Sequence, residues 1–347
     1  MKNILITSPN NHTLVNTVYS LREAFYCKLI GLDKEKNTLS EHLLDHSLTF
    51  NYHSEKDFIT KVKEVCQQYN INAIIPHSLK ERLVLVKNKE EIEVPILSSS
   101  YTSIMFAENK INFAQACSEM NIPTPEQYVV NNSKDLKRYA KVLGYPKKKF
   151  VVKPVISKGG RGFRIVNEDL DLKTIFYKDK QSNNQIKLKG LIDILGEKFP
   201  DLIVSEYLPG KEYTIDCLRE KDFFVAIPRV RIETKMGLTS YGKLEENKQL
   251  IEWSEKISIK LNLTSIFGFQ FKEDEHGKLK ILECNPRIQG TMIMATLAGA
   301  NLLGLGLKAL WGKKIKEPEI DWEMEFLRVW GGISIGEKKL SLNVPLR

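Results

Sequence analysis

Two apolar runs in the C-terminal third of the chain have the pattern of a β-hairpin. FGFQF (267–271) and KLKILECN (278–285) are separated by the polar stretch KEDEHG. Side chains alternate along a strand, so three phenylalanines share one face with Leu282 and Cys284. A two-residue turn at His276-Gly277 is expected, because glycine accepts a positive φ angle. This turn places Gln270 opposite Glu283 and requires a packed layer against the phenylalanine face.

The opposite face of the predicted hairpin carries Gln270, Glu283 and Asn285, and Pro286-Arg287 follows at once. Carboxylate and amide oxygens are ligands for a hard cation such as Mg²⁺, especially when phosphate supplies the remaining ligands. A polar face exposed to solvent is the alternative interpretation of the same pattern.

The first 105 residues alternate short apolar runs with helical patterns. NILIT (3–7), KLIGL (28–32), AIIP (73–76) and VPIL (94–97) predict buried parallel strands, with helices near 12–26, 55–69 and 79–90. This alternation predicts a small doubly wound α/β domain. The first strand is followed by TSPNN rather than GxGxxG, although Asp33 follows the second strand. A nicotinamide oxidoreductase is therefore disfavoured, because a pyrophosphate needs those glycines to approach the backbone.

A glycine-rich loop follows a valine-rich strand in VVKPVISKGGRGFRIV (151–166). Gly159, Gly160 and Gly162 allow backbone N–H groups to turn towards phosphate oxygens, and Lys153 offers a positive charge. A flexible glycine hairpin with incidental lysines is the alternative.

Two further segments bear on nucleotide binding. In LIVSEYLPGKEYTIDCL (202–218), a strand ends at Glu206-Tyr207-Leu208 and another resumes at Glu212, so free backbone groups could contact an adenine edge. An ordinary hairpin with a Pro-Gly turn is the alternative interpretation of segment 202–218. GLTSYGKL (237–244) nearly matches the phosphate loop GxxxxGK[ST], but Leu244 replaces the hydroxyl residue, so we reject it as such a loop.

Composition narrows the function classes. A chain of 347 residues suits two or three domains. No apolar run approaches the ~18–20 residues of a membrane span, and five cysteines without metal-like spacing predict reduced thiols in a cytoplasmic protein. The net charge of +9 comes from scattered lysines, which favours small anions over nucleic acid as partners.

The order of these motifs resembles the ATP-grasp superfamily, and within it one synthetase half of the large subunit of carbamoyl-phosphate synthase. The resemblance covers about residues 1–312, and its most specific part is the Glu-x-Asn-Pro-Arg strand after a Gln-bearing strand. It implies a doubly wound N-terminal domain (1–105) and two α+β lobes that clamp ATP. Lobe 1 (106–205) would carry the glycine-rich loop, and lobe 2 (206–347) the metal and acceptor site.

The resemblance also implies roles for individual residues. Gln270, Glu283 and Asn285 would hold Mg²⁺, with Mn²⁺ as an alternative ion, and Arg287 would face the transferred phosphoryl group and an acceptor carboxylate. Glu283, Asn285 and Arg287 would form the catalytic set. The residues expected to contact ATP are Lys110, Lys153, Ser157, Gly159, Gly160, Gly162, Glu206, Tyr207, Leu208 and Glu212.

Arg229 and Arg231 alternate on the strand AIPRVRIE, so both point to one face and are further candidates for reading the acceptor carboxylate. Surface ion pairs with acidic neighbours such as Glu233 are the alternative for these two arginines.

The expected function is an ATP-dependent ligase that activates a carboxylate as an acyl phosphate for attack by an amine or other nucleophile. A non-catalytic nucleotide-binding protein that switches by lobe closure is the alternative. The chain departs from the synthetase in having lysines at 110 and 153 where the synthetase has arginines, and in containing a single half. The partners would be small molecules, with neither nucleic acid nor membrane, and a homo-oligomer is compatible with the sequence.

Overall fold

The structure is a computed structural model of the chain. It describes residues 1–329 except 12, 37, 157–160, 172, 174–175, 178–183 and 236. The described residues form three β-sheets of four, six and five strands. None of the helices in this part of the chain combines the length and apolar character that a bilayer-spanning segment requires.

The N-terminal sheet is parallel, with strand order β3-β2-β1-β4. One face packs against α1, and the other packs against α3 and α4, so the predicted doubly wound arrangement is confirmed. The elements are β1 (Lys2–Thr7), α1 (Leu14–Ala24), β2 (Cys27–Asp33), α2 (Thr38–Leu43), β3 (His46–Thr49), α3 (Glu55–Gln68), β4 (Ala73–Pro76), α4 (Leu79–Lys87) and α5 (Lys89–Ile92).

One predicted strand of this domain is wrong. VPIL (94–97) contributes only an isolated bridge between Ile96 and Ile74. The sheet instead gains β3, a short and mostly polar strand at its edge, where a strand needs little apolar character to pair with its single neighbour.

The second sheet has five strands, in the order β5-β9-β6-β7-β8. Two helices cover one face, so the face that carries Lys153 and Ile203 is left to meet the rest of the molecule. The elements are β5 (Gln127–Asn132), α8 (Ser133–Val142), β6 (Phe150–Pro154), β7 (Arg164–Val166), β8 (Gln185–Ile186), α9 (Leu188–Leu195) and β9 (Lys198–Glu206). Before them come α6 (Tyr101–Glu108) and α7 (Lys110–Glu119).

The third sheet has six antiparallel strands, in the order β14-β13-β10-β11-β12-β15. Its apolar face packs against α7 and α10, and the phenylalanines Phe267, Phe269 and Phe271 are fully buried there. The elements are β10 (Glu212–Glu220), β11 (Phe223–Lys235), β12 (Leu238–Leu244), α10 (Lys248–Lys260), β13 (Ser265–Glu273), β14 (Leu279–Asn285), α11 (Ile293–Leu297), α12 (Leu302–Leu310) and β15 (Glu325–Leu327). The rejected phosphate loop is strand β12.

The hairpin β13–β14 pairs Gln270 with Glu283 as expected, but its turn is longer than predicted and its strands contain a register shift. The turn spans three residues rather than two, with Gly277 at φ 76° and the Asp274 N–H donating to the Lys278 carbonyl at 3.0 Å. A register shift between Gln270 and Phe271 then restores the predicted pairing of Gln270 with Glu283. As a result Ile281 and Leu279 join the core, while Leu282, which was expected there, is half-buried.

The apolar segment after residue 288 forms two helices, α11 and α12, rather than one continuous helix. Gly299 lies between them at φ 98°, and a Cβ there would meet the Glu319 carbonyl oxygen at 2.4 Å. The close approach of residue 319 explains why the chain turns at this glycine.

Candidate functional site

The polar face of the six-stranded sheet carries a row of side chains at one level. Glu283 pairs with Gln270, Gln270 with Thr214, and Thr214 with Arg229 across four neighbouring strands. Residues paired across strands project to the same side of a sheet. The sequence pattern therefore places a carboxylate, an amide, a hydroxyl and a guanidinium on the face opposite the phenylalanine core.

The end of β14 folds back on itself and brings three predicted residues together. The Asn285 side-chain amide donates to Glu283 Oε1 at 3.2 Å, and Arg287 Nη2 donates to Asn285 Oδ1 at 3.3 Å. The Arg287 backbone N–H donates to the Asn285 carbonyl at 2.7 Å, which closes a tight turn around Pro286. Arg287 Nη1 also donates to the Ile288 carbonyl at 3.1 Å.

Two lysines from other elements face the same carboxylate. Lys110 begins α7 and is 7% exposed, with its Nζ 4.0 Å from Glu283 Oε2. Lys153 lies on β6 of the five-stranded sheet; desolvation lowers its pKa to about 8, with Glu283 opposing the shift and Lys110 reinforcing it. Two sheets and a helix thus place Lys110 and Lys153 beside Glu283, with Arg287 bound to the neighbouring Asn285. This excess of positive charge is suited to a polyphosphate.

Lys153→Ala should weaken Mg·ATP binding by about 1.5–3 kcal/mol, the usual range for a hydrogen bond to a charged group. The wild-type affinity should also fall as pH rises through about 8, where Lys153 loses its charge. Isothermal titration at pH 7 and pH 9 measures both effects, and the variant serves as the control with a flatter pH profile. Equal affinities for the two proteins would show that Lys153 does not contact the nucleotide.

The same shift affects stability with a defined sign. The folded-state pKa of Lys153 lies below its ordinary value of 10.5, so the unfolded chain binds more protons between about pH 8 and 10.5. The side chain therefore lowers the free energy of unfolding below about pH 8, and this penalty disappears as pH rises towards 10.5.

The connection between the five-stranded and six-stranded sheets is the segment between β9 and β10. The Glu206 carboxylate accepts from the Glu126 N–H at 2.8 Å and pairs with the Lys280 ammonium. Tyr207 is half-buried beside Lys149, whose Nζ lies 5.8 Å from its ring, and Leu208 is buried. The segment 206–208, which was predicted to contact adenine, therefore joins the two sheets. The carboxylate of Glu206 is bound to the Glu126 N–H and to Lys280.

Glu212 begins β10 and binds two cations. It forms an ion pair with Arg231, and Lys272 Nζ lies 3.5 Å from its Oε2. Arg231 Nη2 also donates to the Gly237 carbonyl at 2.8 Å, while its buried Nε has no hydrogen-bond partner among the described residues. Burial lowers the pKa of Arg231, with Glu212 opposing that shift. Arg231 therefore lies next to Glu212, one of the residues predicted to contact ATP.

Arg229 is not brought to this cluster, because it is buried in an ion pair. Its Nε donates to Asp216 Oδ2 at 2.8 Å, with exposed fractions of 3% and 0% for the two side chains. Gln289 donates to Asp216 Oδ1 at 2.9 Å and lies over Gly268, where a Cβ would come within 1.7 Å of its Nε2. The arginines do form ion pairs, but with Asp216 and Glu212 rather than with Glu233.

The glycine-rich loop is only partly described. Ser157, Gly159 and Gly160 lie outside the described residues. Gly162 has φ 75°, and a Cβ there would come within 2.7 Å of Pro154 Cγ, so glycine is required where the chain returns towards β6.

Two family models match the chain. One is described as "ATP-grasp in the biosynthetic pathway with Ter operon" and matches residues 198–329. The other is described as "Carbamoyl-phosphate synthase L chain, ATP binding domain" and matches residues 109–193. The matched residues include both of the larger sheets and the strand that carries Glu283.

Curated relatives agree with these matches. The arginine-specific large chain of carbamoyl phosphate synthase from Geobacillus stearothermophilus is 25% identical over 317 residues, 88% of this chain and 28% of the relative. The large chain from Thermoanaerobacter sp. (strain X514) is 29% identical over 244 residues, 67% of this chain and 21% of the relative. This chain therefore spans less than a third of the length of these relatives.

Solved structures share the fold at low sequence identity. Biotin carboxylase from Campylobacter jejuni superimposes with a TM-score of 0.69 at 16% identity, covering 92% of this chain and 73% of that chain. N5-carboxyaminoimidazole synthetase from Staphylococcus aureus, complexed with ADP, gives 0.68 at 16% identity, covering 92% and 80%. The chain has the ATP-grasp fold. An L-amino acid ligase from Bacillus licheniformis gives 0.63 at 14% identity, covering 89% and 74%.

The ATP-grasp identification confirms the predicted resemblance and fold class, while the domain boundaries at 105 and 205 and the residue roles stay predictions.

Helices α6 and α7 lie before the five-stranded sheet in the chain, yet they pack against strand β14 of the six-stranded sheet. Lys110 therefore reaches Glu283 from an element that belongs to the same packed core as Phe269.

The donor set at Gln270, Glu283 and Asn285 fits Mg²⁺ in its chemistry, since one carboxylate and two amides offer hard oxygens. Among the described residues, no group of three His, Cys, Asp or Glu side chains is arranged so that it could hold a metal ion. A cation held by Gln270, Glu283 and Asn285 would therefore take much of its coordination from phosphate oxygens and water. No observation here favours Mn²⁺.

Sequence reasoning missed several residues that surround the site. Lys272 and Lys280 engage Glu212 and Glu206, and their alternation on the hairpin was a usable signal. Gln289 follows Arg287 by two residues, but nothing in the sequence shows that it turns back to Asp216. Arg82 lies in the N-terminal domain and donates to Pro286, a contact across 204 residues that no local pattern shows.

Proposed function

We propose that this protein is an ATP-dependent, ADP-forming ligase that activates a carboxylate as an acyl phosphate for attack by an amine or another nucleophile. The observation that carries the proposal is that Lys110 and Lys153 face Glu283 at the end of β14, where Arg287 is bound to the adjacent Asn285. A protein that only binds a nucleotide has no need for Arg287 at that position.

The roles of the residues follow from their places in the fold. Lys110 and Lys153 hold phosphate oxygens, and the segment Glu206–Leu208 with Glu212 holds the adenosine end, where the two larger sheets connect. When bound, Mg²⁺ coordinates phosphate oxygens and offsets their charge during in-line transfer. Arg287 orients the carboxylate and stabilises the transferred phosphoryl group, because guanidinium binds planar oxyanions through paired donors.

The two strand arginines take different places in this proposal. Arg231 pairs with Glu212 and lies close enough to Glu283 for that carboxylate to affect its pKa, so it is a candidate contact for the acceptor. Arg229 is committed to Asp216, and we assign it no substrate contact.

The acid is best sought among small carboxylates. One solved neighbour is a biotin carboxylase domain in complex with bicarbonate, and another is an L-amino acid ligase. Bicarbonate and the amino acids therefore form the first panel of acids to test. Formation of carbamoyl phosphate by this chain alone is not proposed, because it spans only 28% of the Geobacillus synthase chain.

The test is a screen for ADP release with Mg·ATP, in which each acid is supplied alone and with each amine. We expect ADP release that depends on one acid and increases with its amine partner. Nucleotide binding without acid-dependent ADP release across the panel would favour a nucleotide-binding switch instead.

A further inference from the structure

The turn that carries Arg287 is held from the N-terminal domain. The Pro286 carbonyl, immediately before Arg287, accepts a hydrogen bond of 2.9 Å from Arg82 Nη1. Arg82 lies on α4, and its Nη2 donates to the Pro76 carbonyl at the end of β4 at 3.3 Å. One guanidinium therefore connects the carboxyl end of a strand in the N-terminal sheet with the carboxyl end of β14.

Arg82 is a buried cation, with only 2% of its surface exposed. Burial lowers its pKa to about 9, the positive charge of Arg287 lowers it further, and Glu108 opposes these effects. A charge buried next to a like charge is costly, and the two hydrogen bonds that Arg82 donates are the contacts through which it acts on the turn.

A second contact fixes the other end of the same turn. Asn16, on α1, donates from Nδ2 to the Gly290 carbonyl at 3.0 Å. Gly290 is tightly packed, since a Cβ there would meet Leu238 at 2.5 Å and Thr13 at 3.3 Å. Residues 286–290 are thus held at both ends by the N-terminal domain, with Arg287 between the two contacts.

We propose that Arg82 is a positioning residue for phosphoryl transfer: it holds the Pro286 carbonyl so that the Arg287 guanidinium is directed at the transferred phosphoryl group beside Glu283. Asn16 supports the same geometry from the Gly290 side. The inference rests on the proposed function for the identity of the anion. It adds that the N-terminal domain, which supplies neither Lys110 nor Glu283, determines the position of Arg287.

Inorganic phosphate is a suitable probe, because it resembles the transferred group and its use does not depend on knowing the acid. Its affinity is measured by titration into the protein saturated with Mg·ADP, for wild type, Arg82→Met, Arg287→Ala and the double variant. We expect Arg82→Met to weaken phosphate binding about tenfold, with Mg·ADP affinity changed less than about twofold. Arg22→Met, on an exposed arginine of the same domain, is the matched control and should change neither affinity.

The double variant separates positioning from simple charge. If Arg82 acts through Arg287, Arg82→Met should have no further effect in the Arg287→Ala background. If the charge of Arg82 attracts phosphate directly, the two losses will add and the inference is wrong. Arg82→Lys keeps the charge and one donor, so it should recover part of the affinity.

Two more measurements keep the outcome decisive. Should Arg82→Met fail to fold, Asn16→Ala replaces it, with an expected loss of about threefold that again vanishes in the Arg287→Ala background. Hydrogen exchange of the Arg287 and Ile288 amides should be faster in Arg82→Met at unchanged melting temperature. Failure of the wild type to bind phosphate, or unchanged exchange in the variant, would overturn the inference, whereas the absence of acid-dependent ADP release would overturn only the proposed function.

Discussion

Replacing Glu283 by glutamine should lower phosphoryl transfer from Mg·ATP by about 10³-fold while leaving the fold intact, in the range found when one preorganised charge-stabilising group is lost. Glu283 pairs with Lys110 and accepts a hydrogen bond from Asn285, so its removal takes away a charge that both side chains contact. The neutral amide is also a poorer ligand for a hard cation. The measurement is the initial rate of ADP formation with the acid identified by the screen.

The matched control for this variant is Glu275→Gln, the same substitution in the turn of the same hairpin. Glu275 is exposed and pairs with Lys148, far along the hairpin from the site. It should retain the wild-type rate within about twofold, because exposed ion pairs contribute about 0–1 kcal/mol. A Glu283→Gln protein that turns over like this control would remove Glu283 from the metal and transfer site.

Arg229→Met should lower the free energy of unfolding by about 3–5 kcal/mol, because it leaves the fully buried Asp216 carboxylate without its cation. Gln289 would still donate to Asp216, but one amide does not offset a buried charge. Urea unfolding followed by tryptophan fluorescence measures the change.

The second variant for this test is Asp216→Asn with Arg229→Met, which removes both charges and keeps a partner for Gln289. Its stability should recover at least half of the loss, because a neutral pair carries a smaller desolvation penalty. A single variant as stable as wild type would show that this ion pair does not hold the polar face of the sheet together.

The pairing of Gln270 with Glu283 could be predicted because alternation on two strands allows few registers. The turn residues could not, since a three-residue turn and an irregularity at Phe271 compensate each other and leave the same pairing at the site. The break at Gly299 depends on the Glu319 carbonyl, twenty residues away, which no helical period shows. The edge strand β3 has too little apolar character to be recognised from sequence.

The sequence predicted which face of the sheet a side chain lies on more readily than which residue of a neighbouring strand it pairs with. Alternation correctly placed Arg229 and Arg231 on one face, but their carboxylate partners, Asp216 and Glu212, lie on the neighbouring strand β10. The cluster of Lys110, Lys153 and Glu283 was expected from the family resemblance, and the geometry brings these three together. The contact from Arg82 joins two domains and depends on tertiary packing alone.

The central claim, that a carboxylate is activated as an acyl phosphate, is tested most directly by following an isotope. The acid found in the ADP-release screen is labelled with ¹⁸O in its carboxylate and incubated with Mg·ATP and the amine. An acyl phosphate gives up one carboxylate oxygen when the nucleophile displaces phosphate, so the account predicts one ¹⁸O atom in the inorganic phosphate, read by mass spectrometry. Phosphate without label, or AMP in place of ADP, would contradict it.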